Sequence, residues 1–300
     1  MSNKNNLLGL TREELQDYLI SLDEKSYRGL QIFEWIHNRG IIDFDSMTNL
    51  GKDLIEKLKL NSIIEVPEVI NVSTSSEGTK KFLLKLDNDS FIEMVKIPEK
   101  KRQTLCISSQ AGCALQCTFC ATGYHGFKRN LTSSEIISQL WLANYYEDNS
   151  ERISNVVFMG MGEPLLNYDN VMQAIEWITS EKGFGISKRK ITVSTAGYIK
   201  GVQRLIKDEQ YLNLAFSVGH ADPIKRVKFM PIEKRNPFPE IVKTIQEYQS
   251  LHNRKLTLEY TLLEGKNEDE QAIQDLIAVA QFLKAKINLI NLNPHPKIPF

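Results

Sequence analysis

Residues 104–120 read Thr104-Leu-Cys106-Ile-Ser-Ser-Gln-Ala-Gly-Cys113-Ala-Leu-Gln-Cys117-Thr-Phe-Cys120. A short apolar run, predicted as a strand over 104–109, empties into a loop that holds three of the chain's four cysteines. Downstream the pattern repeats without the cysteines. Strands are predicted at 153–158, 190–195, 212–217, 255–262 and 286–292, and helices at 132–146, 169–180, 198–207, 238–251 and 268–284. Thr132-Ser-Ser-Glu135 has capping-box spacing at the start of the first helix. Strands alternating with helices predict an α/β fold with a parallel sheet and helices outside, a full or partial (β/α)6 barrel. Such barrels carry their sites at the C-terminal ends of the strands, where the cysteine loop falls.

Upstream the period changes. Lys81–Leu86 and Ser90–Ile97 flank Asp87-Asn-Asp89, a β-hairpin signal closed by Pro98. Residues 1–60 read as small helices: Thr11-Arg-Glu-Glu14 has capping-box spacing, and Leu15, Leu19 and Leu22 follow on one face. The expected organisation is a helical accessory domain over 1–65, a hairpin connector over 66–100 and the barrel over 101–300. The alternation stops after the sixth strand, at Asn293-Pro-His-Pro-Lys-Ile-Pro-Phe300, so the barrel is expected to be truncated there.

Lys plus Arg and Asp plus Glu both count 37, so formal net charge is zero and bulk charge gives no sign of a nucleic-acid partner. Short basic clusters such as Lys100-Lys101-Arg102 and Lys188-Arg189-Lys190 remain, and most such clusters are solvated surface. No apolar run approaches the roughly 18 residues of a membrane helix. The N-terminus is polar, so the expected location is the cytoplasm. All four cysteines lie within fifteen residues, which suits a metal or redox centre in a reducing compartment rather than a disulfide scaffold.

Thiolates hold iron–sulfur clusters, and a cubane usually takes four. The triad Cys113, Cys117 and Cys120 leaves one iron open. That corner could chelate S-adenosylmethionine, which an electron from the cluster would cleave into a radical. A structural zinc with Cys106 or His125 as fourth ligand, and a thioredoxin-like pair Cys117–Cys120, are the alternatives. A second motif, Met159-Gly-Met-Gly-Glu-Pro164, ends the strand Ile153–Phe158. Its glycines allow close backbone approach to a ligand, and Glu163 could accept from an ammonium group.

Together these stretches resemble the radical S-adenosylmethionine enzymes, and more closely the RlmN/Cfr family of RNA adenine methyltransferases. Gly126-Phe-Lys-Arg-Asn-Leu-Thr, Met159–Asn167, Ser187–Thr195, Ile287–Pro294 and the hairpin ending Phe91–Pro98 carry the likeness further. Glu-Pro-Leu-Leu-Asn looks more like RlmN. The resemblance implies a 4Fe-4S cluster on Cys113, Cys117 and Cys120. It implies S-adenosylmethionine contacts at Gly162, Glu163, Ser194, Ser217, Val218, Gly219 and Asn293. It also implies a proton acceptor at Glu93 and a resolving thiol at Cys106. The implied substrates are adenosines of 23S rRNA and tRNA, methylated at carbon 2. The electron donor would be flavodoxin or ferredoxin, and the enzyme a monomer without membrane contact.

Two departures stand out. The family's scheme needs a methyl-carrying cysteine near the C-terminus, and only Cys106 lies outside the triad. The alternative expectation is therefore a radical homologue that has lost methyl transfer. The second is Ser217-Val218-Gly219-His220-Ala221-Asp222, where the family has Ser-Leu-His-Ala-Pro. The histidine stands one place later, and in a strand one place reverses the side. His220 is expected to be satisfied or exposed rather than a contact, and His37, His125, His252 and His295 are expected to be structural.

Overall fold

This computed structural model describes residues 4–86, 90–147, 151–293 and 295–300. The chain forms two compact units. The first comprises Met1–Ile107, Leu131–Asn155 and Asp169–Ser187; the second comprises Ser108–Asn130, Val156–Tyr168 and Lys188–Phe300.

In the first unit, α1 (Arg12–Ser21) starts at the expected capping box, with Thr11 and Glu14 exchanging side-chain and backbone bonds. Helix α2 (Tyr27–Phe33) continues as a π turn, Glu34–Asn38, and α3 (Lys52–Asn61) follows. Leu15, Leu19, Ile32, Phe33 and Ile36 are buried. A side chain at Gly29 would meet the backbone of Gln16, so glycine allows α1 and α2 to approach. Four antiparallel strands follow: β1 (Glu68–Thr74), β2 (Lys80–Lys85), β3 (Phe91–Glu99) and β4 (Arg102–Cys106). Each pairs with the next. The expected turn at Asp87-Asn-Asp89 lies outside the described residues, but β2 and β3 pair as the hairpin reading requires. Helix α4 (Ser133–Tyr145) also begins with its expected capping box, at Thr132 and Glu135. Most of α5 (Tyr168–Thr179) belongs to this unit.

The strand expected over 104–109 ends at Cys106. The backbone then leaves the ladder for other partners. Ser109 and Gln110 both donate their N–H to the Met161 carbonyl, at 2.9 and 3.1 Å, and Met161 N–H returns a bond to Ser108 Oγ.

The second unit contains a small hairpin, β5 (Gln110–Gly112) with β6 (Phe127–Asn130), and a parallel array. The array runs in order through β7 (Asn155–Phe158), β8 (Ile191–Thr195), β9 (Asn213–Ser217), β10 (Leu256–Leu262) and β11 (Lys286–Asn291). Helices α6 (Ile199–Lys207), α7 (Pro223–Phe229), α8 (Phe238–Ser250) and α9 (Glu270–Phe282) are interleaved with the strands.

The two faces of this array differ in chemistry. Phe216 stacks on Phe238 of α8 with ring centroids 5.8 Å apart, so its face is the helix side. Val193, Leu214, Leu258 and Tyr260 share that face and are buried. The opposite face carries Ser194, Ala215, Ser217, Thr257, Glu259 and Asn288. Most of its residues are small or polar, though Val157 and Ile290 share the face, unlike the layers of branched apolar side chains that fill a closed barrel core.

Candidate active site

The cysteine loop is shaped by its backbone. Cys113 N–H donates to the Gly126 carbonyl at 3.0 Å. Gly112, at φ +77°, passes so close to that carbonyl that any side chain would overlap it. Gln116 adopts φ +52°, a left-handed turn between the first two cysteines. Cys120 N–H bonds the Cys117 carbonyl at 3.1 Å, and Gly123 N–H bonds the Cys120 carbonyl at 2.9 Å. Thr118 N–H then fastens the loop to the Phe229 carbonyl at the end of α7, at 2.9 Å. Leu115, Cys117 and Phe119 pack against a buried group of Ala196, Phe229, Met230, Ile232 and Leu263.

All four cysteines are free thiols. Burial pushes the Cys113 thiol up to about 11 and the Cys117 thiol further still; each is also raised by its neighbours in the triad. Thiols so placed ionise only when cationic metal stabilises the thiolate. Among the described residues, no three His, Cys, Asp or Glu side chains converge as ligands of one ion.

The Gly-Glu turn sits beside the strand-end serines. Gly162 adopts φ +100°, and a side chain there would strike Gln110. Glu163 N–H bonds Gln110 Oε1 at 2.9 Å, and Asn167 Nδ2 donates to the Ser109 carbonyl at 2.8 Å. The Glu163 carboxylate is buried and accepts from Ala196 N–H at 2.8 Å and Leu165 N–H at 3.3 Å. Burial outweighs these bonds and pushes its carboxyl up to about 7. Glu163 thus fastens the turn after β7 to the turn after β8, a structural duty the sequence did not reveal.

Ser194 lies on the polar face of β8, in register with Ala215. Ser217 ends β9 in register with Glu259, which is in register with Asn288. Those three form a row of hydroxyl, carboxylate and amide. Val218 is buried, with its N–H on the Glu259 carbonyl at 3.0 Å. Gly219 adopts φ +68°, with Met230 where a side chain would stand. His220 is buried; its Nδ1 accepts from Asp222 N–H at 3.0 Å and its ring stacks on Phe229. His220 is thus neither exposed nor fully satisfied, since Nε2 is left without a partner, and it lies beyond the end of β9, where strand alternation no longer sets its side. Asn293 is exposed beyond β11.

Glu93 and Cys106 lie in the first unit. Val95 opposes Cys106 across β3 and β4, so Glu93, two residues before Val95, shares Cys106's face. Glu93 pairs with Lys81 at 3.0 Å, both side chains being about half exposed.

Two residues escaped the sequence reading. Glu259 is a carboxylate only 9% exposed, held by Asn288 Nδ2 at 2.6 Å. Alternation in Leu256-Thr-Leu-Glu-Tyr-Thr-Leu262 put it on the polar face, a signal present but not used. Arg226 is fully buried and bonds three different segments. Nothing in its local sequence announces this.

Residues 5–64 match the ribosomal RNA large subunit methyltransferase N-terminal domain, and residues 107–277 match the radical SAM superfamily. The chain is 42% identical to the dual-specificity RNA methyltransferase RlmN of Marinobacter nauticus, over 99% of this chain and 82% of that protein. It is equally similar to the protein of the same name from Pseudomonas fluorescens, at 42% over 98% of this chain and 78% of that one. The chain belongs to the RlmN family. A radical SAM methyltransferase from Sphaerobacter thermophilus, at 33% identity, shares the fold with a TM-score of 0.93 over 99% of this chain and 87% of that structure. The α/β fold expected from the strand–helix alternation, and the radical SAM family implied by the resemblance, are therefore those of the chain.

RlmN enzymes use a 4Fe-4S cluster and S-adenosylmethionine. The residues present fit both. Three free, half-buried thiols on one loop suit the donor chemistry of such a cluster. The polar row of Ser217, Glu259 and Asn288 offers a hydroxyl, a carboxylate and an amide to a polar ligand.

Proposed function

We propose that the protein methylates carbon 2 of adenosine in 23S rRNA and tRNA; its relatives are named dual-specificity RNA methyltransferases. The likeness to those relatives along 99% of the chain carries this reading. The free-thiol triad on its seated loop supports it.

In this reading Cys113, Cys117 and Cys120 hold the cluster. When bound, the cluster supplies one electron that cleaves the sulfonium of S-adenosylmethionine. Gly162, Glu163, Ser194, Ser217, Val218, Gly219 and Asn293 receive that ligand. Glu163 does so mostly through the backbone it holds, since its oxygens already accept from Ala196 and Leu165. Glu93 would take the proton from the adenine ring, and Cys106, on the same sheet face, would be the resolving thiol. Cys106 is the one cysteine of these 300 residues outside the triad, so the methyl-carrying thiol whose adduct it would resolve is not supplied by them. Ring carbon 2 carries no acidic proton, so a base acts only after a carbon has been added there. A flavodoxin or ferredoxin supplies the electron, and the enzyme works as a cytoplasmic monomer. Among the described residues, no helix is long and apolar enough to cross a membrane.

The reading is tested in cells lacking their own enzyme. Expression should bring 2-methyladenosine into 23S rRNA and tRNA, read by mass spectrometry of RNA digests. In vitro, the anaerobically reconstituted and reduced protein should release 5′-deoxyadenosine from S-adenosylmethionine. Protein with a full complement of iron and sulfide that leaves both RNAs unmodified would overturn the methyltransferase reading.

A further inference from the structure

Arg226, on α7, is fully buried. Its Nε donates to the Val218 carbonyl at 2.8 Å, and one terminal nitrogen to the Ala196 carbonyl at 2.7 Å, with Ser217's carbonyl 3.4 Å away. The other terminal nitrogen meets Glu233 at 2.6 Å, while Glu233's second oxygen accepts from Phe238 N–H at 2.8 Å. The guanidinium also stands 5.7 Å from the Phe216 ring and 5.5 Å from the Phe238 ring. Ala196 is thereby held from both sides, its N–H by Glu163 and its carbonyl by Arg226. The Ala196 and Val218 carbonyls belong to the turns after β8 and β9, and Ser217's to the last residue of β9, where the proposed reading seats the sulfonium ligand.

The same residue adjoins the cysteine loop. Cys117 packs on the buried group that includes Ala196, Phe229 and Met230, and Phe229 of α7 accepts the loop's Thr118 N–H. Arg226 precedes Phe229 by one helical turn on α7, and its charge lowers the Cys117 thiol's pKa against the larger raising effect of burial. A buried cation in a low-dielectric setting favours added negative charge, and iron–sulfur potentials follow local charge.

We propose that Arg226 is a positioning residue that pins the Ala196 and Ser217–Val218 turns for the sulfonium ligand and raises the cluster's reduction potential through its charge beside Cys117. The proposal rests on the reading that Cys117 holds the cluster. Its geometric half needs the planar fork of arginine, and its electrostatic half needs only the positive charge.

Three variants separate the halves: Arg226→Lys, Glu233→Gln, and Arg226→Gln with Glu233→Gln, the last removing both charges so that no lone buried ion is left. The readouts are iron content, the cluster's midpoint potential by electron paramagnetic resonance titration, and S-adenosylmethionine affinity. Arg226→Lys should keep the potential of the parent but lose about tenfold or more in affinity, as charged hydrogen bonds are lost. Glu233→Gln should shift the potential upward, because the cation loses its counter-charge. The double variant should lie below Glu233→Gln. Coincident potentials across cluster-loaded variants, or unchanged affinity in Arg226→Lys, would overturn the proposal alone. A parent protein that takes up no cluster would overturn the underlying reading, and the proposal with it. Glu233→Gln retains the guanidinium and its carbonyl bonds, so the potential remains testable if the other variants fail to fold.

Discussion

At Glu163 burial and hydrogen bonding pull in opposite directions. Two backbone N–H groups favour the carboxylate, yet burial raises the carboxyl from its ordinary 4.5 to about 7. Between those values the folded protein keeps a proton that the unfolded chain has released. Stability therefore falls as pH rises through that window, by about 3 kcal/mol at most from this group. Glu163→Gln should flatten the slope of urea midpoint against pH between 4.5 and 7; a slope unchanged by the substitution would place its origin elsewhere. His37 works in the other direction. It is buried among Phe33, Trp177 and Phe184, and burial lowers it to about 3. The unfolded chain gains its proton first as pH falls below 6.5, so stability is lost on acidification, by as much as about 5 kcal/mol. His37→Leu should extend the native range toward acid in circular-dichroism titrations. Neither shift can be read from composition, because both follow from the surroundings a fold creates. The cysteine triad was legible because its spacing along the chain is itself the signal.

Turns and strands show the same division. Glycine at 219 is required twice over, by φ +68° and by Met230 standing where a side chain would project. Gly219→Ala should cost about 1–3 kcal/mol in thermal or urea unfolding and should weaken S-adenosylmethionine binding; full stability would show that the turn relaxes freely. The capping boxes at Thr11 and Thr132 were readable, since each involves residues three apart. The end of β4 at Cys106 was not, because it depends on Met161, more than fifty residues downstream. On the helix side of the array, Leu289 of β11 is 59% exposed, and Ile287, Ile273 and Ile277 are also exposed. They line an apolar cavity of about 320 Å³. Exposed apolar patches promote association. Leu289→Lys should change stability by no more than about 0.5 kcal/mol in urea unfolding; a larger loss would show that this side chain is packed.

Over the whole molecule, cluster binding and folding are linked. A group that binds only the folded chain stabilises it by mass action. Reconstitution with iron and sulfide should raise the calorimetric midpoint, and Cys117→Ser should abolish both the rise and the iron content; an equal rise in the variant would remove Cys117 from the ligand set. Alternating strands and helices, the three-then-two cysteine spacing and the Gly-Glu turn were enough to specify an α/β fold with a cysteine loop at the strand ends, because each is a relation between near neighbours along the chain. The proton on Glu163, the reach of Arg226 to Ala196 and Val218, the row of Ser217, Glu259 and Asn288, and the shared face of Glu93 and Cys106 came only with the folded chain. They depend on strand register and burial, which bring together groups tens of residues apart and remove them from water.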